Sequence, residues 1–272
     1  MKKYAVALLA LAIVAMPSCK NQNKKSEGTE TKEISQKEAL LQEDLKINVE
    51  NLVESAKKIK SVPFAKTLPD GTVALTDKEK MVKPDYLLEA SEANNLVTLS
   101  QKYRTVAMLT ADKIVADLYE MPTTEYKTAI SKLIIDLGDD AVKDFADTNW
   151  EDKGESDAAI GKLVDAEYAA GRSNFFWEAT TAFLVEQLYV ITRNIDKFMP
   201  MFTDETAADV TYNFVCVHEG ISQMIEFYPE MESLNNALLP LYVINAISVD
   251  QLKEQLTELK GEIEAVRYFL LK

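Results

Sequence analysis

The sequence predicts an all-α fold, a multi-helix bundle or helical-hairpin array of about eight to nine helices with a long C-terminal amphipathic helix. Glycine and proline are scarce, with eight of each in 272 residues, whereas alanine, leucine, glutamate and lysine are abundant. This composition favours helices over a turn-rich β-fold. Apolar residues also recur at spacings of three and four along much of the chain, which is the period of an amphipathic helix.

Capping residues and prolines delimit the predicted helices of the first half. Ser35 and Glu38 form a capping box, in which each side chain bonds the free backbone amide of the other, and they open a helix over 36–60. Two prolines then predict a loop over 61–76 that includes a short extended segment. The elements that follow are a short helix after the capping box of Thr76 and Glu79, a long helix over 90–121 that ends at Pro122, and a helix over 124–137 that ends at Gly138.

The most apolar helix is predicted over 174–199, after a capping Ser173 and before Pro200. Its sequence, FFWEATTAFLVEQLYVITRNIDKFM, is apolar nearly all round. Helices of that kind lie in the interior of a protein, so we expect this helix to be central. The acidic stretch before it is predicted to hold a short helix at 141–146, a loop that carries Trp150, and a helix at 156–170.

Three helices are predicted after Pro200. Thr203 or Asp204 caps the first, which ends near residue 228, and Pro240 kinks or splits the second, at 231–246. Ser248 caps the last helix, which carries an apolar seam at alternating spacings of four and three. We expect this seam to pack within its own domain, and a dimer contact is the alternative. The seam consists of Leu252, Leu256, Leu259, Ile263, Val266 and Leu270.

The amino end carries the features of an export signal. Two lysines precede an apolar run of twelve residues at 5–16, which is shorter than the roughly 20 residues that a membrane-spanning helix needs. The sequence Met16-Pro17-Ser18-Cys19 follows and resembles the lipobox of bacterial lipoprotein precursors. That resemblance implies cleavage between Ser18 and Cys19, and a lipid anchor, including a fatty acid such as palmitate, on Cys19.

The predicted organisation is therefore a signal peptide at 1–18, a lipid-anchored disordered tether at 19–34, and a single all-helical domain at 35–272. Residues 20–33 include no large apolar side chain, so this segment cannot bury enough surface to fold. Surface-exported lipoproteins of some Gram-negative groups resemble one another in acidic residues after the cysteine, whereas here Lys20-Asn21-Gln22 follow. This favours an outer-membrane protein that faces the periplasm. The mature part resembles uncharacterised all-helical lipoproteins of the cell envelope.

The charge of the chain limits its partners. The formal net charge is −14, and removal of 1–18, which hold two lysines, makes it −16. Such a chain is repelled by nucleic acid and by anionic lipid. The expected partners are the membrane, through the lipid on Cys19, and another envelope protein, but not nucleic acid.

The residues that carry common chemistries are few. His218 is the one histidine, and Ser222 stands where a zinc protease has its second histidine. Cys216 and His218 would lie about 200° apart on a helix, so they cannot share a metal ion, and we expect a buried thiol and a hydrogen-bonded histidine. No nucleophile elbow, phosphate-binding loop or dinucleotide motif occurs. The sequence therefore predicts no catalytic residue, metal or cofactor.

Three functional hypotheses remain open. The first is a non-catalytic, lipid-anchored envelope protein that binds or scaffolds a partner through helix faces. The second is a helical binding protein for a small amphipathic or sugar ligand. The third is a carboxylate-based hydrolase, since acidic residues are abundant and only their separation in space decides. The candidate pocket of the second hypothesis consists of Phe176, Trp177, Gln187, Tyr189 and Arg193.

Overall fold

The computed structural model describes residues 46–272, with side chains from residue 50 onward. The described residues form twelve α-helices and no β-sheet, which confirms the all-α prediction and exceeds the expected number of helices. The predicted signal peptide with Ser18, the tether with Cys19, and the first part of the first helix lie outside the described residues. The helices are α1 (Lys46–Ala56), α2 (Asp77–Lys80), α3 (Leu99–Leu118), α4 (Thr124–Leu137), α5 (Asp140–Asp147), α6 (Lys153–Ala169), α7 (Ser173–Arg193), α8 (Ile195–Phe198), α9 (Asp204–Met224), α10 (Glu232–Leu238), α11 (Val249–Glu258) and α12 (Lys260–Leu270).

Several predicted helix ends are confirmed. Thr76 forms its capping box with Glu79, Thr203 caps α9, and the Ser248 side chain accepts a hydrogen bond at the start of α11. Gly138 ends α4 with a φ of 62°, a left-handed conformation that glycine adopts without steric cost. Side-chain caps therefore position the turns, because they satisfy the amide groups that the first turn of a helix leaves free.

Other predicted boundaries are wrong. The helix expected over 90–121 is a 3-10 turn at Ala90–Ala93 followed by α3, which starts only after a capping box of Thr98 and Gln101. The last helix breaks at Leu259, between α11 and α12.

The predicted break at Pro240 is confirmed. The helix expected over 231–246 is divided into α10 and the 3-10 turn Leu239–Leu241, which contains Pro240.

Helix α7 lies at the centre of the fold. Every residue from Ser173 to Thr192 is buried, which confirms the expectation drawn from its apolar sequence. α7 packs against α3, α6, α9 and α12. The predicted seam of the last helix also faces inward: Leu252, Leu256, Ile263, Val266 and Leu270 are buried, and Leu259 is partly buried. The seam therefore packs within the chain.

Candidate functional site

The structure separates the five residues of the predicted ligand pocket. Phe176 and Arg193 are seventeen residues apart on one helix, a distance of roughly 25 Å at the rise of an α-helix. The space beside Phe176 and Trp177 measures only about 10 Å³. Trp177 packs so closely on Gly220 that a methyl group on that glycine would lie 2.3 Å from the indole ring. Phe176 and Trp177 are core residues.

The other predicted pocket residues have different surroundings. The Gln187 side chain is buried, and its carbonyl oxygen accepts a hydrogen bond from the Val62 amide at 3.3 Å. The guanidinium of Arg267 lies 4.0 Å from the centre of the Tyr189 ring. Arg193 is exposed and lies 5.7 Å from the same ring. These residues therefore do not form one pocket with Phe176.

Cys216 and His218 face different environments, as their helical spacing requires. Cys216 is buried as predicted, and burial raises the pKa of its thiol. His218 is exposed and stacks on Tyr242, with 4.2 Å between the ring centres. A ring contact thus takes the place of the expected hydrogen bond.

The core contains a cluster of charged side chains that the sequence analysis did not single out. Asp112 of α3 and Glu186 of α7 are both completely buried, and Arg267 of α12 donates to both Glu186 oxygens at 2.7 and 2.9 Å. Burial, and then the charge of Glu186, raise the pKa of Asp112 well above its usual value. Burial also raises the pKa of Glu186, against the opposing hydrogen bond and charge of Arg267. The two carboxyl groups and the arginine therefore interact as one buried cluster.

A second cluster has the same design. The Arg172 guanidinium bonds two carboxyl groups: its Nε lies 2.8 Å from Glu167 Oε2, and its Nη2 lies 2.9 Å from Asp139 Oδ2. The Tyr103 hydroxyl also donates to Asp139. Burial, followed by the charge and hydrogen bond of Asp139, raises the pKa of Glu167 to about 8. Glu167 is therefore protonated at neutral pH. Asp139 also caps α5 by accepting from the Ala141 amide at 3.0 Å, so this cluster joins four helical segments.

The geometry of both clusters suits a structural role. Glycoside hydrolases hold two carboxyl groups roughly 5–9.5 Å apart around a site that admits a sugar and water. Here the two carboxyl groups of each cluster are near enough for one to raise the pKa of the other, and an arginine bonds Glu186 in one cluster and Glu167 in the other. Asp112, Glu167 and Glu186 each have no exposed surface, so substrate cannot reach them. These clusters hold helices together in the core and do not resemble a hydrolytic site.

The surface carries an exposed apolar strip, which we define as Val215, Leu239, Val243 and Ile247. Between 48% and 70% of the surface of each of these residues is exposed. Val215 lies on α9 between Thr211, which donates to the Ala246 carbonyl at 2.8 Å, and His218, which stacks on Tyr242. The two contacts place Val215 beside the segment that carries the other three residues.

The chain around the apolar strip has an unusual charge pattern. Residues 233–249 include no charged side chain, although 27% of all residues are charged. Residues 198–252 include eight acidic side chains and no lysine or arginine. The net charge of the chain does not reveal this surface, whereas the distribution of charge along the sequence is the signal that locates it.

Comparison with models of protein families, with curated proteins and with solved structures finds no match for this chain. None of the described helices is long and apolar enough to cross a membrane. Within residues 46–272, no group of three or more His, Cys, Asp and Glu side chains is placed to hold a metal ion.

Proposed function

We propose that the protein is a non-catalytic, lipid-anchored component of the bacterial envelope that docks another envelope protein on the apolar strip. The observation that carries this proposal is the strip itself, in a part of the chain without basic residues. Monomeric proteins seldom expose contiguous apolar surface without a binding role. Burial of four side chains that are already about half covered stabilises a complex by about 1 kcal/mol each.

The charge around the strip indicates what kind of partner fits. Three of the four strip residues lie in the uncharged segment 233–249, and acidic side chains flank this segment, with Glu230 and Glu232 before it and Asp250 after it. Electrostatic complementarity therefore favours a protein with an apolar centre and a basic rim. Anionic lipid and nucleic acid would be repelled by the same residues.

In-cell photo-cross-linking tests the docking proposal. A photo-reactive amino acid is placed at position 243, and in a control strain at position 135, because Ile135 is 79% exposed on α4 among lysines. We expect position 243 to cross-link a different protein with a basic surface, and position 135 not to. Val215→Asp with Ile247→Asp should abolish that adduct, since each aspartate adds desolvation cost at the interface.

Three outcomes would contradict the proposal. The first is adducts that form only between two copies of the chain, or only with lipid. The second is the same adducts from positions 243 and 135. The third is an adduct that survives both aspartate substitutions.

A complex held partly by charge should also weaken as the salt concentration rises, because salt screens exposed charges.

The lipid anchor is a separate part of the proposal, supported by the Met16-Pro17-Ser18-Cys19 sequence. Metabolic labelling with a clickable palmitate analogue should mark the wild-type protein and not Cys19→Ala. Recovery of the variant as the same membrane-bound mature species would refute the anchor.

Proteinase K added to intact cells tests which face of the outer membrane carries the domain. A periplasm-facing domain should be protected until the outer membrane is opened.

A further inference from the structure

A cavity of about 170 Å³ opens between α3 and two loops, far along the chain from the apolar strip. Its volume equals about five to six waters at ~30 Å³ each, and it is smaller than the ~300 Å³ that begins the range of drug-sized sites. A single small ring with its substituents is the largest ligand that such a cavity holds. The cavity is lined by Phe64, Lys66, Lys113, Asp117, Trp150 and Glu151, among others.

Two aromatic side chains give the cavity an apolar wall. Trp150 is half-buried and held in place by Phe183, at 4.8 Å between ring centres, and by Phe145, at 5.2 Å. Phe64 is fixed by an edge contact with Phe198 at 5.4 Å. The Trp150 ring therefore presents a rigid platform, and binding does not have to order it.

The polar lining is balanced in charge. Lys66 pairs with Glu151 between the two loops, and Lys113 lies near Asp117 on α3. Two positive and two negative groups leave no net attraction for an anion or a cation. A neutral molecule with several hydroxyl groups fits this lining, because each hydroxyl both accepts from a lysine and donates to a carboxylate.

Lys113 has an ion-pair partner, Asp117, but no hydrogen-bond acceptor among the residues that the structure describes. Only 15% of its side chain is exposed, and its nitrogen lies 3.7 Å from the nearest Asp117 oxygen, which is longer than a hydrogen bond. No described residue accepts a hydrogen bond from this ammonium, although it carries three donors. A shielded ammonium in a cavity is suited to bind an oxygen of a ligand.

We infer that this cavity binds a neutral polyhydroxylated molecule the size of one sugar ring, with its apolar face on Trp150 and a hydroxyl oxygen on Lys113. The inference rests on the cavity lining and is independent of docking on the apolar strip. The proposed ligand site therefore lies beside α3, and not along α7 as the sequence predicted.

Fluorine NMR of the full chain tests the inference. The two tryptophans are replaced by 5-fluorotryptophan, the protein is held in a detergent without a sugar headgroup, and Trp150→Phe assigns the resonances. We expect glucose, galactose or inositol to shift the Trp150 resonance in a saturable way at millimolar concentration. Trp177 is packed against Gly220 and serves as the internal control, whose resonance should not move.

Substitution of one lysine sharpens the test. Lys113→Met keeps the length of the side chain and removes the ammonium, and it should weaken binding at least tenfold. Lys132→Met, on the exposed side of α4, should leave binding unchanged. The inference is overturned if no neutral probe shifts Trp150, if only the anion gluconate does, or if Lys113→Met binds as tightly as the wild type.

Discussion

The interior of this protein and its apolar strip show opposite relations between polarity and burial. Glu186 is an ionisable residue with no exposed surface, whereas Val243 is apolar and 61% exposed. The buried carboxyl group is acceptable because Arg267 donates to both of its oxygens. The exposed part of the Val243 side chain is not covered by any described residue. The difference indicates that the clusters maintain the fold and that the strip is available to another molecule.

The arginines of the core share one arrangement. Arg104, Arg172 and Arg267 keep 12%, 22% and 14% of their side chains exposed, while Glu178, Glu167 and Glu186, the carboxylates that they bond, are almost completely buried. Each arginine therefore reaches from the surface to a carboxylate inside. Removing one partner of such a pair is costly, because it leaves an uncompensated buried charge.

Arg267→Met should produce the largest effect. We expect a loss of about 3–5 kcal/mol in the free energy of unfolding at neutral pH, because Glu186 would then be buried without its cation. Urea unfolding measures it. Arg193→Met is the matched control, since Arg193 also lies over Tyr189 but is exposed. That control should change stability by no more than about 0.5 kcal/mol. Equal losses in the two variants would show that the buried ion pair has no special role.

Glu167→Gln should have the next largest effect, and the effect should depend on pH. The pKa of Glu167 is raised from 4.5 in the unfolded chain to about 8, so its stabilising contribution is complete below the unfolded value and is lost as pH rises through the folded value. Glutamine keeps an acceptor for Arg172 but does not titrate. Between pH 5 and pH 8 the variant should gain about 3 kcal/mol relative to the wild type.

Urea unfolding at several pH values provides that measurement, and Glu264→Gln on the exposed side of α12 is the control. The control should follow the wild type at every pH. If Glu167→Gln and the wild type lose stability in parallel from pH 5 to pH 8, Glu167 is not protonated in the folded protein.

Val243→Asp should have the smallest effect on stability. The side chain is exposed, so we expect a change of no more than about 0.5 kcal/mol in the free energy of unfolding. Its effect should instead appear as loss of the partner that is cross-linked from a photo-reactive residue at position 247 of the strip. A loss of stability comparable to that of Arg267→Met would mean that Val243 supports the fold, and the contrast between core and strip would fail.

The fold was largely predictable because its signals are local. Thr76, Thr203 and Ser248 cap helices through bonds to amides three residues away, and such spacing is visible in the sequence. The error before α3 has a local cause as well. Thr98 and Gln101 form a capping box that the apolar period of the surrounding residues obscured, and Asn95 adopts a positive φ of 65° that ends the preceding turn.

The functional residues were much less predictable. The pocket placed on α7 relied on aromatic and polar residues within a buried helix, and helical spacing does not show which of these are simply core. Tertiary packing places Phe176 and Trp177 against neighbouring helices and leaves about 10 Å³ beside them. The cavity at Trp150 is formed by segments 30 or more residues apart in sequence, which no motif connects.

The sequence by itself determined the all-α class, the caps at Thr76, Thr203 and Ser248 and the interior position of α7, because helix period and capping depend on residues within a few positions of one another. The predicted cap at Ser173 is wrong, because Arg172 precedes α7 and no side chain bonds the first turn. Only the tertiary structure decided which charges pair. Asp112, Glu186 and Arg267 come from three helices, with 81 residues between the last two, and acidic residues are too abundant for composition to select them. Pairing in the core and exposure at the apolar strip depend on distances between helices, and these distances are set when the chain packs.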